Sequence, residues 1–283
     1  MANILCAYRY SPYTTANYLV KALRALGHEV RCFGPGQPEA VGDCWHCDAV
    51  IWVEAGGGRP QWRGPFILPI KRKAAWFLDS HSQHSWHREF AQHFNHVFVA
   101  QRAYVDRFDR PATWLPVACD PDIHTPPEGI EPEHDVVFCG HTYPGSPLYE
   151  RRRRLLAMLA EHYDLGVYKG AYLQDMAIAH AKGRVVFNVS TSDDLNMRVF
   201  EALCSGRPLV TDWVPEAGIP ELFGEPPPMD FYQANLEALK VIDEVLASPP
   251  EALDFWGARG RAAVLARHTY RHRAQQMLEV MGL

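Results

Sequence analysis

Apolar positions along the chain fall into two patterns. Short unbroken runs rich in β-branched and aromatic residues, such as Asn3 to Tyr10, Asp48 to Glu54, Ala74 to Asp79, His96 to Ala100 and Ala112 to Val117, have the composition of strands covered on both faces. Asp135 to Gly140, Asp164 to Lys169, Val185 to Val189 and Pro208 to Thr211 repeat it later. Between these runs apolar residues recur three and four positions apart, as in Tyr18, Leu19, Ala22, Leu23 and Leu26, or Leu155, Leu156, Leu159 and Tyr163. That spacing predicts amphipathic helices over about Ala16 to Leu26 and Glu150 to Tyr163. Further helices are expected at Gln101 to Phe108, Ala171 to Lys182, Leu236 to Ala247, Pro250 to Ala266 and after His268 to Leu283, with a proline-rich loop over Trp213 to Pro228.

Strand, loop, helix, glycine, strand is the order from Asn3 to Phe33, the opening of a Rossmann-like sheet, and a second sheet opens at Asp135. Pro126 to His134 is rich in Pro, Glu and Gly and marks a boundary between them. The expected division is a first domain over 1–117, a hinge over 118–134 and a second domain over 135–283.

Gly183 to Asp212 is the most informative stretch. It reads as strand, a small polar loop at Ser190 to Asp194, a helix stopped by Gly206-Arg-Pro, and strand. Leu195, Val199, Ala202 and Leu203 form an apolar stripe on the helix, while Asp194, Arg198, Glu201 and Ser205 share another face. A helix N-terminus after a parallel strand suits an anion such as a diphosphate. Arg198 adds a fixed cation there, and the Glu201 carboxylate can accept two hydrogen bonds from vicinal hydroxyls. An ordinary βαβ unit with an Arg198–Glu201 surface pair accounts for the pattern equally well, and such a pair contributes only ~0.2–0.5 kcal/mol.

Composition narrows the partners. With 283 residues, 47% of them hydrophobic, the chain can fill real cores. A formal net charge of -5 gives no general reason to expect a nucleic acid, and the basic runs at Lys71 to Lys73 and Arg151 to Arg154 read as solvated faces. The chain passes from Met1 straight into a strand pattern and holds no run long enough to span a bilayer, so residence in the cytoplasm is expected. Seven scattered cysteines fit reduced thiols. Cys44-Trp-His-Cys47 has no second ligand pair and reads as incidental.

The first half offers its own candidates. Asp79 and His81 stand at the carboxyl end of a predicted strand, where a carboxylate or an imidazole can serve as general base. Ala55 to Gly58 is either a ligand loop or a plain turn. His81, His84 and His87 lack a carboxylate or cysteine at helical spacing, so an exposed polar helix start is expected rather than a metal site. The first loop lacks G-x-G-x-x-G, which argues against a dinucleotide cofactor.

N-x-R-x-F-E-A-L-x-x-G-x-P-L, as it stands in Asn196 to Leu209, resembles the donor-site helix of the spore-maturation-protein (CgeB-like) glycosyltransferases, relatives of glycosyltransferase family 4. Ala118 to Pro127 is similar to that group's hinge pattern G-V-D-x-x-x-F-x-P, which makes Asp120 a turn and hinge residue, and His268 to Arg273 resembles its terminal H-T-Y-x-H-R. The resemblance implies a GT-B fold, two Rossmann-like α/β domains facing each other across a cleft, with the last helix crossing back to the first. It implies transfer of a sugar from a nucleotide-diphosphate sugar to an acceptor (a glycan, a small molecule or a protein) without a metal or other cofactor. Glu201 would hold the ribose hydroxyls and Arg198 the diphosphate. Asn196, Gly140 and Arg151 would complete the donor site. Asp193, eight positions before Glu201, stands where the family usually has a glutamate and would face the sugar or phosphate. Asp79, His81 and Asp193 are the catalytic candidates. A nucleotide-sugar epimerase of the same fold and an inactive nucleotide-sugar-binding protein are the alternatives.

Overall fold

Strands that are apolar on both sides must be covered on both sides, and this chain satisfies the requirement with two parallel sheets flanked by helices. The computed structural model describes residues 1–37, 46–56, 58–60, 70–192 and 194–283. It divides into two units, one formed by Met1–Val117 with Tyr270–Leu283 and the other by Ala118–Thr269.

The first unit holds β1 (Asn3–Ala7), α1 (Thr15–Ala25), β2 (Glu29–Phe33), β3 (Ala49–Val53), β4 (Lys73–Phe77), α2 (Ser80–Ala91), β5 (His96–Val99) and β6 (Ala112–Trp114). The sheet order is β2-β1-β3-β4-β5-β6, and each neighbouring pair runs parallel. All five residues of β3 are buried. On one face Trp52, Phe77, Phe90 and Phe94 build an aromatic core, with the Trp52 and Phe90 rings edge to face at 4.9 Å. The segment expected as a helix from Gln101 is a 3-10 helix, Arg102–Arg107.

The second unit contains α3 (Pro121–His124), β7 (His134–Cys139), α4 (Glu150–Ala160), β8 (Leu165–Tyr168), α5 (Gln174–Ala181), β9 (Gly183–Asn188), α6 (Met197–Ser205) and β10 (Leu209–Asp212). After them come α7 (Ile219–Phe223), β11 (Asp230–Tyr232), α8 (Asn235–Leu246) and α9 (Pro250–Arg267). Its sheet order is β11-β10-β9-β7-β8. Val136, Phe138, Leu155, Leu159, Phe187 and Ile242 belong to its core. The proline-rich stretch is more than a loop. It turns through α7, and the chain after it adds β11 in parallel to β10, where three residues suffice because Tyr232 is buried under α8.

Two helices have unusual seats. On α9, a Cβ at Gly257 would lie 1.9 Å from the Gly206 carbonyl oxygen, so only glycine lets α9 cross the end of α6 at this distance. The last helix, α10 (Tyr270–Met281), packs on α1 in the first unit. Tyr270 stacks on Tyr18 at 4.9 Å. The buried Arg273 donates from Nε to the Pro116 carbonyl at 2.7 Å and from Nη2 to that of Val117 at 3.3 Å.

Candidate functional site

In the second unit the ends of β7 and β9 deliver two loops that one side chain ties together. Arg152, on α4 and 1% exposed, donates from Nη1 to the His141 carbonyl and from Nη2 to the Val189 carbonyl, each at 2.8 Å. Burial, and then the neighbouring Arg198, lower its pKa to about 9, so it stays charged at neutral pH. Arg151, one residue earlier, bonds Asp212 Oδ2 at 2.9 Å. The Asp212 carboxylate also accepts from Ser190 N at 2.9 Å and Ser190 Oγ at 2.6 Å. Ser190 therefore anchors its loop to β10 and does not cap the helix.

The helix itself starts later than its sequence suggests. Asn196 is the N-cap of α6, and its side chain makes no capping bond. Both Asn196 side-chain polar atoms, Arg198 Nε and Glu201 Oε1 are buried without a hydrogen-bond partner among the described residues. Buried polar atoms are satisfied in the great majority of cases, so four orphans within two turns of one helix stand out. The face expected to be a polar surface is in fact interior, with Glu201 1% and Ser205 7% exposed. The Arg198–Glu201 surface pair does not form. Glu201 Oε1 instead lies 3.4 Å from His124 Nε2.

Burial sets the electrostatics of this helix. It pushes the Glu201 carboxyl up to about 8, against the opposing pull of the Arg198 guanidinium. It lowers the pKa of Arg198, with Glu201 the strongest opposing influence. His180 on α5, fully enclosed, falls to about 3 through burial and then the nearby His124 and Arg198, and is neutral. Gly140, at the end of β7 with φ 150°, lets the guanidinium lie across it: a Cβ there would stand 2.8 Å from Arg198 Nη1. Gly140, His141, Gly170, Tyr172, Arg198 and Glu201 line a cavity of about 160 Å³. That is room for a small ring or about five waters.

Of the sequence candidates, Gly140, Arg198 and Glu201 meet around this cavity, and Asn196 stands one turn away at the start of the same helix. Arg151 is held by Asp212. Asp193 lies outside the described residues, as does Cys44 of the C-x-x-C pair and Gly57 of the glycine run. None of the six described cysteines is in a disulfide with another described residue.

Asp79 and His81 belong to the first unit, at the turn from β4 into α2, and both are half-buried. A buried chain fixes that turn. Glu54 Oε2 accepts from the amides of Leu78 at 2.6 Å and Asp79 at 3.0 Å. Glu54 Oε1 lies 3.2 Å from His87 Nε2, and His87 Nδ1 lies 3.0 Å from Ser80 Oγ. Gln101 accepts from Ser80 N and donates to the Leu78 carbonyl. His87, expected on an exposed helix start, is completely buried. Glu54 and His87 stand 33 positions apart, so no local spacing pairs them; the charged residue that ends an otherwise apolar strand is the one signal in the sequence. Among the described residues no group of three or more His, Cys, Asp or Glu is placed to hold a metal ion. No helix among them is long and apolar enough to cross a membrane.

Comparison with known proteins adds what geometry cannot. A family profile described as glycosyl transferase-like matches residues 136–279, just over half of the chain. No curated protein sequence matches. Among solved structures, the Anabaena protein HepE in complex with UDP-glucose is similar over 100% of both chains, with a TM-score of 0.68 and 12% identity. Sucrose-phosphate synthase from Thermosynechococcus elongatus matches with a TM-score of 0.64 and 12% identity, over 99% of this chain and 98% of that one. A glycosyltransferase from Rickettsia africae gives 0.58 and 9%, over 99% and 97%.

Proposed function

The chain belongs to the glycosyl transferase-like family and has the GT-B fold, and from that premise we propose that it transfers a sugar from a nucleotide-diphosphate sugar to an acceptor hydroxyl. The carrying observation is the group of unsatisfied buried atoms on α6: Asn196, Arg198 and Glu201 present donors and acceptors beside a cavity floored by glycine. A nucleotide sugar supplies matching chemistry. Vicinal ribose hydroxyls donate to the Glu201 carboxylate, and the diphosphate takes the Arg198 guanidinium and the amides of the first turn of α6, to which no side chain is bonded at the N-cap.

In the transfer step the bond between the anomeric carbon and the diphosphate oxygen breaks, and the leaving oxygen takes the electron pair. Arg198 and the helix N-terminus stabilise that developing charge, and no metal is called on. The acceptor oxygen bonds the anomeric carbon and its proton passes to a base. Asp79 and His81 are the proposed bases in the first unit, which would bind the acceptor, and Asp193 would face the sugar or a phosphate. Transfer with a CgeB-like donor site in the cytoplasm is the specific form of this reading.

The test is calorimetric binding of UDP, GDP, ADP and their glucose and N-acetylglucosamine esters, followed by product analysis of any that bind. Binding of one diphosphate, release of sugar or its transfer, and a loss of about 10–100-fold in affinity in Glu201→Ala and Arg198→Ala are expected. Return of an isomeric donor without an acceptor would make the chain an epimerase. Unchanged affinity in both folded variants would overturn the donor site.

A further inference from the structure

His124 closes α3 and is 1% exposed. The Asp120 amide donates to its Nδ1 at 2.9 Å. That bond settles the tautomer: Nδ1 is the acceptor, so the ring proton sits on Nε2. Nε2 is the atom 3.4 Å from Glu201 Oε1, an ion-pair contact in which the two atoms are not aligned as a hydrogen bond, and Glu201 Oε1 makes no hydrogen bond to any other described residue. A ring N–H at this distance can only donate, and an ionised carboxylate is a better acceptor for it than a carboxylic acid.

The other titratable groups near Glu201 leave this role to His124. His180 from α5 is neutral, its pKa lowered to about 3. Cys139 from β7 stays a thiol, pushed up to about 12 by burial and by Glu201 itself. Cys119, before α3, is raised by its bond to Cys204 and by burial, and stays a thiol too. Cys204 on α6 is lowered, chiefly by that bond. Arg261 from α9 spends its guanidinium on the Cys204 carbonyl at 2.8 Å. Arg198 is a cation that opposes the raised Glu201 pKa, and its guanidinium lies across Gly140.

We propose that His124 is a positioning residue of the donor site: its Nε2–H, oriented by the Asp120 amide, favours the ionised form of the Glu201 carboxyl beside it and sets that group in place to receive the hydroxyls of the nucleotide. This rests on Glu201 being the ribose ligand, while the contact between the two side chains stands without it. His124 occupies the phenylalanine position of the hinge pattern G-V-D-x-x-x-F-x-P, and a phenyl ring has no proton to offer. The segment Asp120 to His124 is thereby coupled to the charge state of the site.

The experiment is an NMR titration of the full chain labelled with carboxyl-13C glutamate, the Glu201 signal being identified by its loss in Glu201→Gln. His124→Phe should raise the Glu201 midpoint by about one pH unit, and His124→Gln, which keeps an N–H, should hold it near the native value. With the same proteins, the diphosphate among UDP, GDP and ADP that binds best should bind His124→Phe about tenfold more weakly at pH 7. An unmoved Glu201 midpoint in folded His124→Phe overturns the proposal. If that variant does not fold, 15N shifts of the ring in the unaltered chain decide: a proton on Nδ1 instead of Nε2 overturns it equally. Failure of the donor reading looks different. In that case Glu201→Gln leaves diphosphate binding intact, or no diphosphate binds, while the carboxyl titration still reports on His124.

Discussion

Glu201 is a carboxyl whose surroundings oppose its own charge, and pH exposes the conflict. Its folded pKa, about 8, lies above the 4.5 of an ordinary glutamate. Between those values the folded chain holds a proton that the unfolded chain releases, so Glu201 contributes stability below about pH 4.5 that is lost as the pH rises through 8. The melting temperature of the native protein should accordingly fall relative to that of Glu201→Gln across this window, and parallel curves would refute the assignment. A ligand whose hydroxyls donate to the carboxylate should reverse the preference and expel a proton on binding below pH 8, read by calorimetry in buffers of different ionisation heat. Gly140→Ala is a second test at this scale. The backbone there has φ 150°, strained for any residue with a Cβ by about 1–3 kcal/mol, and the new methyl would displace the Arg198 guanidinium. Nucleotide affinity should drop by more than an Asn196→Ala control that leaves the guanidinium where it is. The motif from Asn196 to Leu209 put Arg198 and Glu201 on a single helix whose period is legible, and both line the same cavity. It missed that their face is interior, since the elements covering it, α3 and α5, are distant in sequence and include a histidine where the pattern has phenylalanine.

Elements were readable where their period was strong and their ends were punctuated. The runs at β3, β4, β7 and β9 and the helices α1, α4, α8 and α9 emerge within a few residues of their expected bounds. Misreadings have local causes. The polar cluster Ser190 to Asp194 looked like a cap, yet Ser190 bonds Asp212, and α6 begins only at Met197. Proline density masked β11 because the strand needs only three residues when a neighbour and α8 supply the rest of its surroundings. The buried chain Glu54–His87–Ser80 was invisible because helix and strand meet only in the fold. Packing of α9 on α6 gives the prediction proper to this scale. Glycine inside a helix ordinarily costs about 1 kcal/mol relative to alanine, so Gly257→Ala should stabilise α9 on propensity alone. The new Cβ, however, would fall 1.9 Å from a backbone oxygen that cannot swing aside. A net loss of about 2 kcal/mol or more is expected in denaturant unfolding, and a gain in stability would show that the two helices separate easily.

At the scale of the whole molecule, sequence order and spatial order part company at one place. The second unit, Ala118–Thr269, is inserted into the first, which is completed by Tyr270–Leu283. Cys119 and Thr269 stand side by side as a parallel bridge, and the Cys119 amide donates to the His268 carbonyl at 3.1 Å, so the insert enters and leaves at neighbouring residues. A chain cut after Thr269 should lose cooperative melting of the first unit, whose Tyr18 face and Pro116 and Val117 carbonyls then lack α10, while the second unit keeps its amide-exchange protection. Equal protection in both units would refute the dependence on α10. The same connectivity imposes a schedule on synthesis. A ribosome releases α1 and the six strands of the first sheet, then the entire insert, and only after it the helix that seals the first unit. Throughout that interval the Tyr18 face of α1 stands uncovered by α10 in the nascent chain, which makes it the natural address for a chaperone.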